Sequence, residues 1–219
     1  WPAGITLDPA TGAVSTAASV QPGTYSFTYQ LCDRNSPVNC ATMLDSITVS
    51  ANIAPTNDSG SANAGTPSTP VANVAANDTV NGAPATLGAG GNATVAQSGV
   101  WPAGITLNPA TGAVSTTAAV QPGSYVVSYT LCDRNSPVNC RDATVTITVV
   151  PEILPITDTG TGVSGVASTP IADIAANDTV NGTPAVVQGA SATASVAQVG
   201  AWPAGFSPVG ACPPGFKSP

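Results

Sequence analysis

Tyr25, Phe27, Tyr29 and Leu31 alternate with Ser26, Thr28 and Gln30, and Tyr125, Val127, Tyr129 and Leu131 repeat the rhythm further on. A period of two puts every second side chain on one face, so each run is predicted to be a strand with one buried side. Val145, Ile147 and Val149, interleaved with Thr144, Thr146 and Thr148, predict its partner strand. Asn-Pro-Ala-Thr-Gly at 108–112 and Gln-Pro-Gly at 121–123 place turn residues at short spacing. No run carries apolar residues at helical spacing behind a capping signal. The chain is therefore expected to be all-β, with its aromatic and β-branched stripes, all four tyrosines included, serving as core.

The pattern recurs because the chain repeats itself. Trp1-Pro-Ala-Gly returns at Trp101 and again at Trp202, and residues 1–50 agree with 101–150 at about 35 of 50 positions. Residues 74–85 answer 174–185 in the same way. A period near 100 residues exceeds a solenoid unit and matches one β-sandwich domain, so tandem sandwich repeats of about 100 residues are expected. Proline-bearing segments at 50–58 and 150–158 read as linkers. One complete domain then spans 56–150. Residues 1–50 form the back half of a domain lacking its first strands, 156–205 the front half of a domain lacking its last strands, and 206–219 a diverged tail.

These residues carry a family resemblance. WPAGITLDPATGAVS followed by QPGTYSFTYQLCD resembles the bacterial putative-Ig pattern, and PVANVAANDTVNG is similar to the opening strands of cadherin-like Ig-fold repeats. The resemblance implies tandem Ig-like β-sandwiches from a large extracellular adhesin or surface filament protein, on the cell surface of a bacterium. It does not specify a ligand, because such folds carry many functions.

Composition removes other classes. Only 7% of residues are charged, against about 25% in ordinary soluble chains, and the formal charge is −7 with no histidine. Four basic residues cannot form a nucleic-acid footprint. Without histidine there is no conventional catalytic triad or His metal site, and no clustered acids mark a cleft, so the chain is not expected to be an enzyme. No stretch reaches the roughly 20 apolar residues of a membrane-spanning helix. Isopeptide cross-links within the domains are ruled out because Lys217, the sole lysine, lies in the tail.

Cysteine chemistry adds a compartment. Cys32 and Cys40 bracket Asp-Arg-Asn-Ser-Pro-Val-Asn, and Cys132 and Cys140 bracket the same residues. Disulfides Cys32–Cys40 and Cys132–Cys140 would each staple a hairpin, with free buried thiols as the alternative; two thiols without histidine fall short of a zinc site. Such disulfides belong to an oxidising compartment. The fifth cysteine, Cys212, is a candidate intermolecular thiol. No cofactor is expected. Calcium is the one ion worth testing, with Asp58, Asp78, Asp158 and Asp178 as weak candidates. The plainer reading makes Asn77-Asp78 and Asn177-Asp178 turn formers that bond their own backbone.

A half-domain leaves strand edges unpaired and an apolar face in water. The expectation is that the front half of one copy completes the back half of the next, so that the chain polymerises head to tail with itself into an extracellular structural filament by donor-strand-like exchange. The alternative is that the chain is a window on the stalk of a long surface adhesin. An additional surface ligand stays open at this point.

Overall fold

The computed structural model describes residues 1–136 and 138–206. The strands are β1 (Ile5–Leu7), β2 (Val14–Thr16), β3 (Gly23–Cys32) and β4 (Cys40–Val49) in the first segment. The middle holds β5 (Ile53–Ala54), β6 (Asp58–Asn63), β7 (Ser68–Val71), β8 (Thr79–Val80), β9 (Ala83–Pro84), β10 (Ala93–Ser98), β11 (Ile105–Leu107), β12 (Val114–Thr116), β13 (Gly123–Asp133) and β14 (Cys140–Val150). The last segment holds β15 (Ile153–Leu154), β16 (Thr179–Val180) and β17 (Thr183–Pro184). No helix occurs among the described residues, and the fold class is all-β, with a β-sandwich at its centre.

Residues 51–150 make a closed sandwich. One sheet runs β10-β13-β14-β6 and the facing sheet β11-β12-β7, with a small β5-β8-β9 sheet at the edge. The long β13–β14 hairpin follows from the alternation. Val127, Tyr129 and Leu131 on one strand and Ala143, Val145, Ile147 and Val149 on the other all point into one core, together with Val74, Val95, Trp101 and Val114. Tyr125 packs against the same core from its edge, half-buried, and its hydroxyl reaches back to Gln121 O at 2.8 Å, closing the turn that feeds the strand. The β8–β9 hairpin turns on Asn81-Gly82 with φ of 52° and 77°, the mirror-image turn geometry that favours Asn-Gly.

Two features differ from the sequence reading. The segment 50–58, expected to be a linker, holds β5 and the start of β6, because Ile53 is buried and pairs with Val80. The segment 150–158 likewise holds β15, which pairs with β16. In addition, β6 joins β14 in parallel, Val145 standing opposite Asp58. A run such as Asp-Ser-Gly-Ser-Ala-Asn shows no apolar alternation, yet it forms a strand because its small residues let it pack tightly. A Cβ at Gly60 would overlap the Pro70 carbonyl.

The middle sandwich is a joint product of two half-repeats. Of the front-half strands, β6 pairs with β14, β7 with β12 and β10 with β13. Only β5, β8 and β9 pair among themselves. The flanking segments hold fewer paired strands. Residues 1–50 keep the two hairpins β1–β2 and β3–β4, whose strands pair within the segment. Residues 151–206 keep only β15-β16-β17, the counterpart of β5-β8-β9, while the counterparts of β6, β7 and β10 form no strand. A strand whose hydrogen-bonding partner is missing has nothing to order it.

Candidate assembly interface

The first segment presents an open sheet face. Trp1, Leu7, Val14, Phe27, Tyr29 and Leu31 line a groove of about 420 Å³, with Asp45 at its wall. These residues occupy the positions of Trp101, Leu107, Val114, Val127, Tyr129 and Leu131 in the middle sandwich. The same chemistry therefore meets two environments. Leu131 is 0% exposed and Leu31 70%; Trp101 is 7% exposed and Trp1 50%. Trp1 partly compensates by stacking on Phe27 at 4.3 Å between ring centroids. Its indole also donates to Thr28 O, as Trp101 does to Ser128 O. The hairpin β3–β4 is pinned by Cys32–Cys40 and its middle-domain counterpart by Cys132–Cys140. Each loop is further organised by an aspartate, Asp33 or Asp133, that accepts backbone amides of the loop. Those amide bonds, first from Asn39, hold the Asp33 carboxyl below its usual range.

The last segment also exposes apolar positions whose counterparts in the middle sandwich are buried. Ile153 is 68% exposed where Ile53 is 1%, and Ile174 and Val196 are exposed where Val74 and Val95 are buried. Its local scaffolding is nevertheless in place. Gly160 meets the Pro170 carbonyl as Gly60 meets that of Pro70. Ala175 N donates to Asp173 Oδ1 as Ala75 N does to Asn73 Oδ1, both at 2.9 Å. The segment is tied to the middle sandwich through Glu152, whose carboxylate accepts Asn63 Nδ2 at 2.9 Å and Thr66 Oγ1 at 3.0 Å.

The calcium candidates divide. Asp58 and Asp78 come together in the middle sandwich around the buried Tyr129 hydroxyl, which lies 2.9 Å from Asp78 Oδ2, 3.1 Å from Val74 O and 3.2 Å from Thr56 O. Asp78 Oδ1 accepts Thr56 N at 2.7 Å, so Asp78 is more than a local turn former: it ties the start of the domain to its centre. Burial, and then repulsion from Asp78, push the Asp58 carboxyl up to about 6; the Tyr129 hydroxyl and the Asn77 side chain pull the other way without offsetting it. Burial likewise raises Asp78, and burial with the nearby carboxylates raises Tyr129. Calcium takes six to eight oxygens. Here two carboxylates meet, Asp78 has both oxygens engaged by donors, and no group of three or more Asp, Glu, His or Cys side chains gathers among the described residues. That donor set does not fit calcium. It is a pair of neighbouring carboxyls, Asp78 bonded by donors and Asp58 holding its proton more tightly than a free carboxyl. Asp178 accepts Ile156 N at 2.7 Å, copying the Asp78 arrangement, and Asp158 lies on the β6 counterpart. Cys212 lies outside the described residues.

Sequence reasoning missed Tyr129 as a polar residue and missed Asp45 altogether. Asp45 aligns with the fully buried Val145, so a carboxylate stands where the middle sandwich has an apolar core residue.

No protein-family model matches the chain, and no curated protein matches it. Among solved structures it resembles protocadherin gamma B2 extracellular cadherin domains 3–6 at 14% identity, over 70% of this chain and 42% of that one, with a TM-score of 0.36. It also resembles human CDH23 EC21–23 at 18% identity, over 71% and 58%, with a TM-score of 0.35. Mouse cadherin-23 EC22–24 aligns at 17% identity over 67% and 49%, with a TM-score of 0.33. The chain thus spans between about two fifths and three fifths of these neighbours. All three are fragments of extracellular cadherin repeats.

Proposed function

We propose that this chain is a structural repeat unit of an extracellular β-sandwich fibre, in which residues 151–206 of one copy close onto residues 1–50 of another. The observation that carries the reading is the division of labour in the middle sandwich, where β6, β7 and β10 of the front half all pair with strands of the back half. Each flanking segment exposes apolar positions that this pairing buries, Trp1 and Leu31 on one side and Ile174 and Val196 on the other. Strand addition supplies main-chain hydrogen bonds, and alternate side chains fill the core. Because the donor and acceptor surfaces differ and sit on opposite sides of a complete domain in sequence, the contact is heterologous and propagates into a filament. An interface that completes a domain core belongs to the obligate class, burying above roughly 2,000 Å². The stapled hairpins suit an oxidising, extracellular setting, and the surface of a bacterium is the setting that the putative-Ig resemblance implies.

A second reading has one observation in its favour. Trp202-Pro-Ala-Gly restarts the back-half motif directly after the front half, as expected for a stalk in which completion runs along a single polypeptide. Sedimentation and negative-stain microscopy of the purified chain separate the two. The fibre reading expects mass that grows with concentration and strands whose repeat accommodates two domains per copy. A chain that stays monomeric at the highest attainable concentration refutes it and leaves the stalk reading.

A further inference from the structure

We infer that Tyr29 and Asp178 form the polar lock by which a back half recognises an incoming front half; this rests on the self-completion proposed above. In the middle sandwich the Tyr129 hydroxyl comes from the back half, while all three of its partners, Thr56 O, Val74 O and Asp78 Oδ2, come from the front half. Tyr129 is fully buried, so this hydroxyl is a polar anchor deep in the seam, more enclosed than the Ser68–Thr116 hydroxyl pair and the Asn139 and Arg134 side-chain bonds that also cross it. A buried hydroxyl or carboxylate left without its partner carries a desolvation penalty, which makes such a contact discriminating as well as attractive.

Both sides of the lock are present in the flanking segments before they meet. Tyr29 lines the open groove of residues 1–50, at the position of Tyr129 and between Phe27 and Leu31. On the other side, the loop that carries Asp178 already has the bonded form. Ile156 N donates to Asp178 Oδ1 at 2.7 Å, as Thr56 N does to Asp78 Oδ1. Asp178 N reaches Ala175 O at 3.2 Å, and Ala185 N reaches Asp178 O at 3.0 Å, matching Asp78 with Ala75 and Ala85. The carboxylate is thereby fixed by one oxygen, and in the middle sandwich it is the second oxygen, Oδ2, that takes the tyrosine hydroxyl. The occupant of the groove is a second copy of this chain. Nothing comparable is offered by Tyr25, whose hydroxyl is spent on Gln21 O at 2.7 Å within its own segment.

The test is a double-mutant cycle on the full chain, read as the concentration at which half the material is assembled. Tyr29→Phe should raise that concentration roughly ten- to a hundredfold, the worth of a hydrogen bond to a charged group. Tyr25→Phe should change it little. In an Asp178→Ala background Tyr29→Phe should add almost nothing, because both changes remove one bond. Equal effects of Tyr29→Phe in the two backgrounds, or no effect in an assembling chain, would overturn the lock while leaving self-completion intact. An unmodified chain that never assembles would overturn both.

Discussion

Raising the pH should loosen the middle sandwich, and Asp58 is the reason. Its carboxyl lies between β6 and the 73–78 turn, with Oδ2 buried and without a hydrogen-bond partner among the described residues. Burial and the neighbouring Asp78 lift it from 3.8 to about 6. A folded-state value above the unfolded one means that the folded form holds its proton more tightly. The stability this contributes is complete below the unfolded value and is lost as pH rises through about 6. A carboxyl displaced that far accounts for at most about 3 kcal/mol. Asp58 keeps part of its surface in water, which reduces the expected loss to about 1–2 kcal/mol. Asp78, also raised, acts in the same direction. Urea unfolding followed through Trp101, with Trp1→Phe and Trp202→Phe removing the other indoles, should show a midpoint lower by about 1 M at about pH 7.5 than at about pH 4.5. Asp58→Asn should remove most of that difference. A sandwich whose stability is flat or rises over this range, or an Asn variant that retains the full slope, refutes the reasoning.

Three further outcomes follow from the same geometry. Leu31→Asp should abolish assembly and leave the melting of the middle sandwich unchanged, whereas Leu131→Asp should unfold that sandwich; sedimentation and thermal denaturation distinguish them. Replacing Cys132 and Cys140 together by serine should cost the middle sandwich about 2.5 kcal/mol, the entropy of closing a loop of this length, measured by urea unfolding. Asp45→Val should lower the concentration needed for assembly by on the order of tenfold, since closure in the middle-domain register would otherwise bury this carboxylate opposite Asp158; an unchanged or higher concentration would contradict that register.

The back half of the repeat was legible in the sequence because its strands alternate large apolar residues with Ser and Thr. The front half was not, and the cause is its side chains. Asp58–Asn63 packs through Gly60 and Ala62, whose small size serves close approach and leaves no hydrophobic period to read. Residues 53–54 looked like linker because Ile53 is the one large apolar residue in a run of Ala, Asn, Pro and Thr, although it is buried once β5 meets β8. The polar core escaped for a different reason. Tyr129 sits in an aromatic stripe, where packing is the natural reading, and its partners lie 51 to 73 positions away. The clue that was available is the repetition of an aspartate pair at equal spacing, Asp58 with Asp78 and Asp158 with Asp178, each answered by a tyrosine in a back half.

The asymmetry between the two halves says which one changes on closure. A back half keeps its hairpins when alone, since β3 and β4 satisfy one another across their whole length. A front half loses three strands when alone, since each needs a back-half strand to bond with. Closure is therefore coupled folding of the front half on a preformed template, and the ordering cost falls almost entirely on one partner. Amide hydrogen exchange resolves this residue by residue. In dilute chain, amides of residues 158–163, 168–171 and 194–199 should exchange freely while those of β3 and β4 away from their outer edges are protected. On assembly the three front-half segments should gain protection together, and the back half should gain it only along the strand edges that receive them. Protection of the front-half segments in the monomer, equal to that of β6, β7 and β10, would mean that they find partners without a second copy, and the template argument would fail.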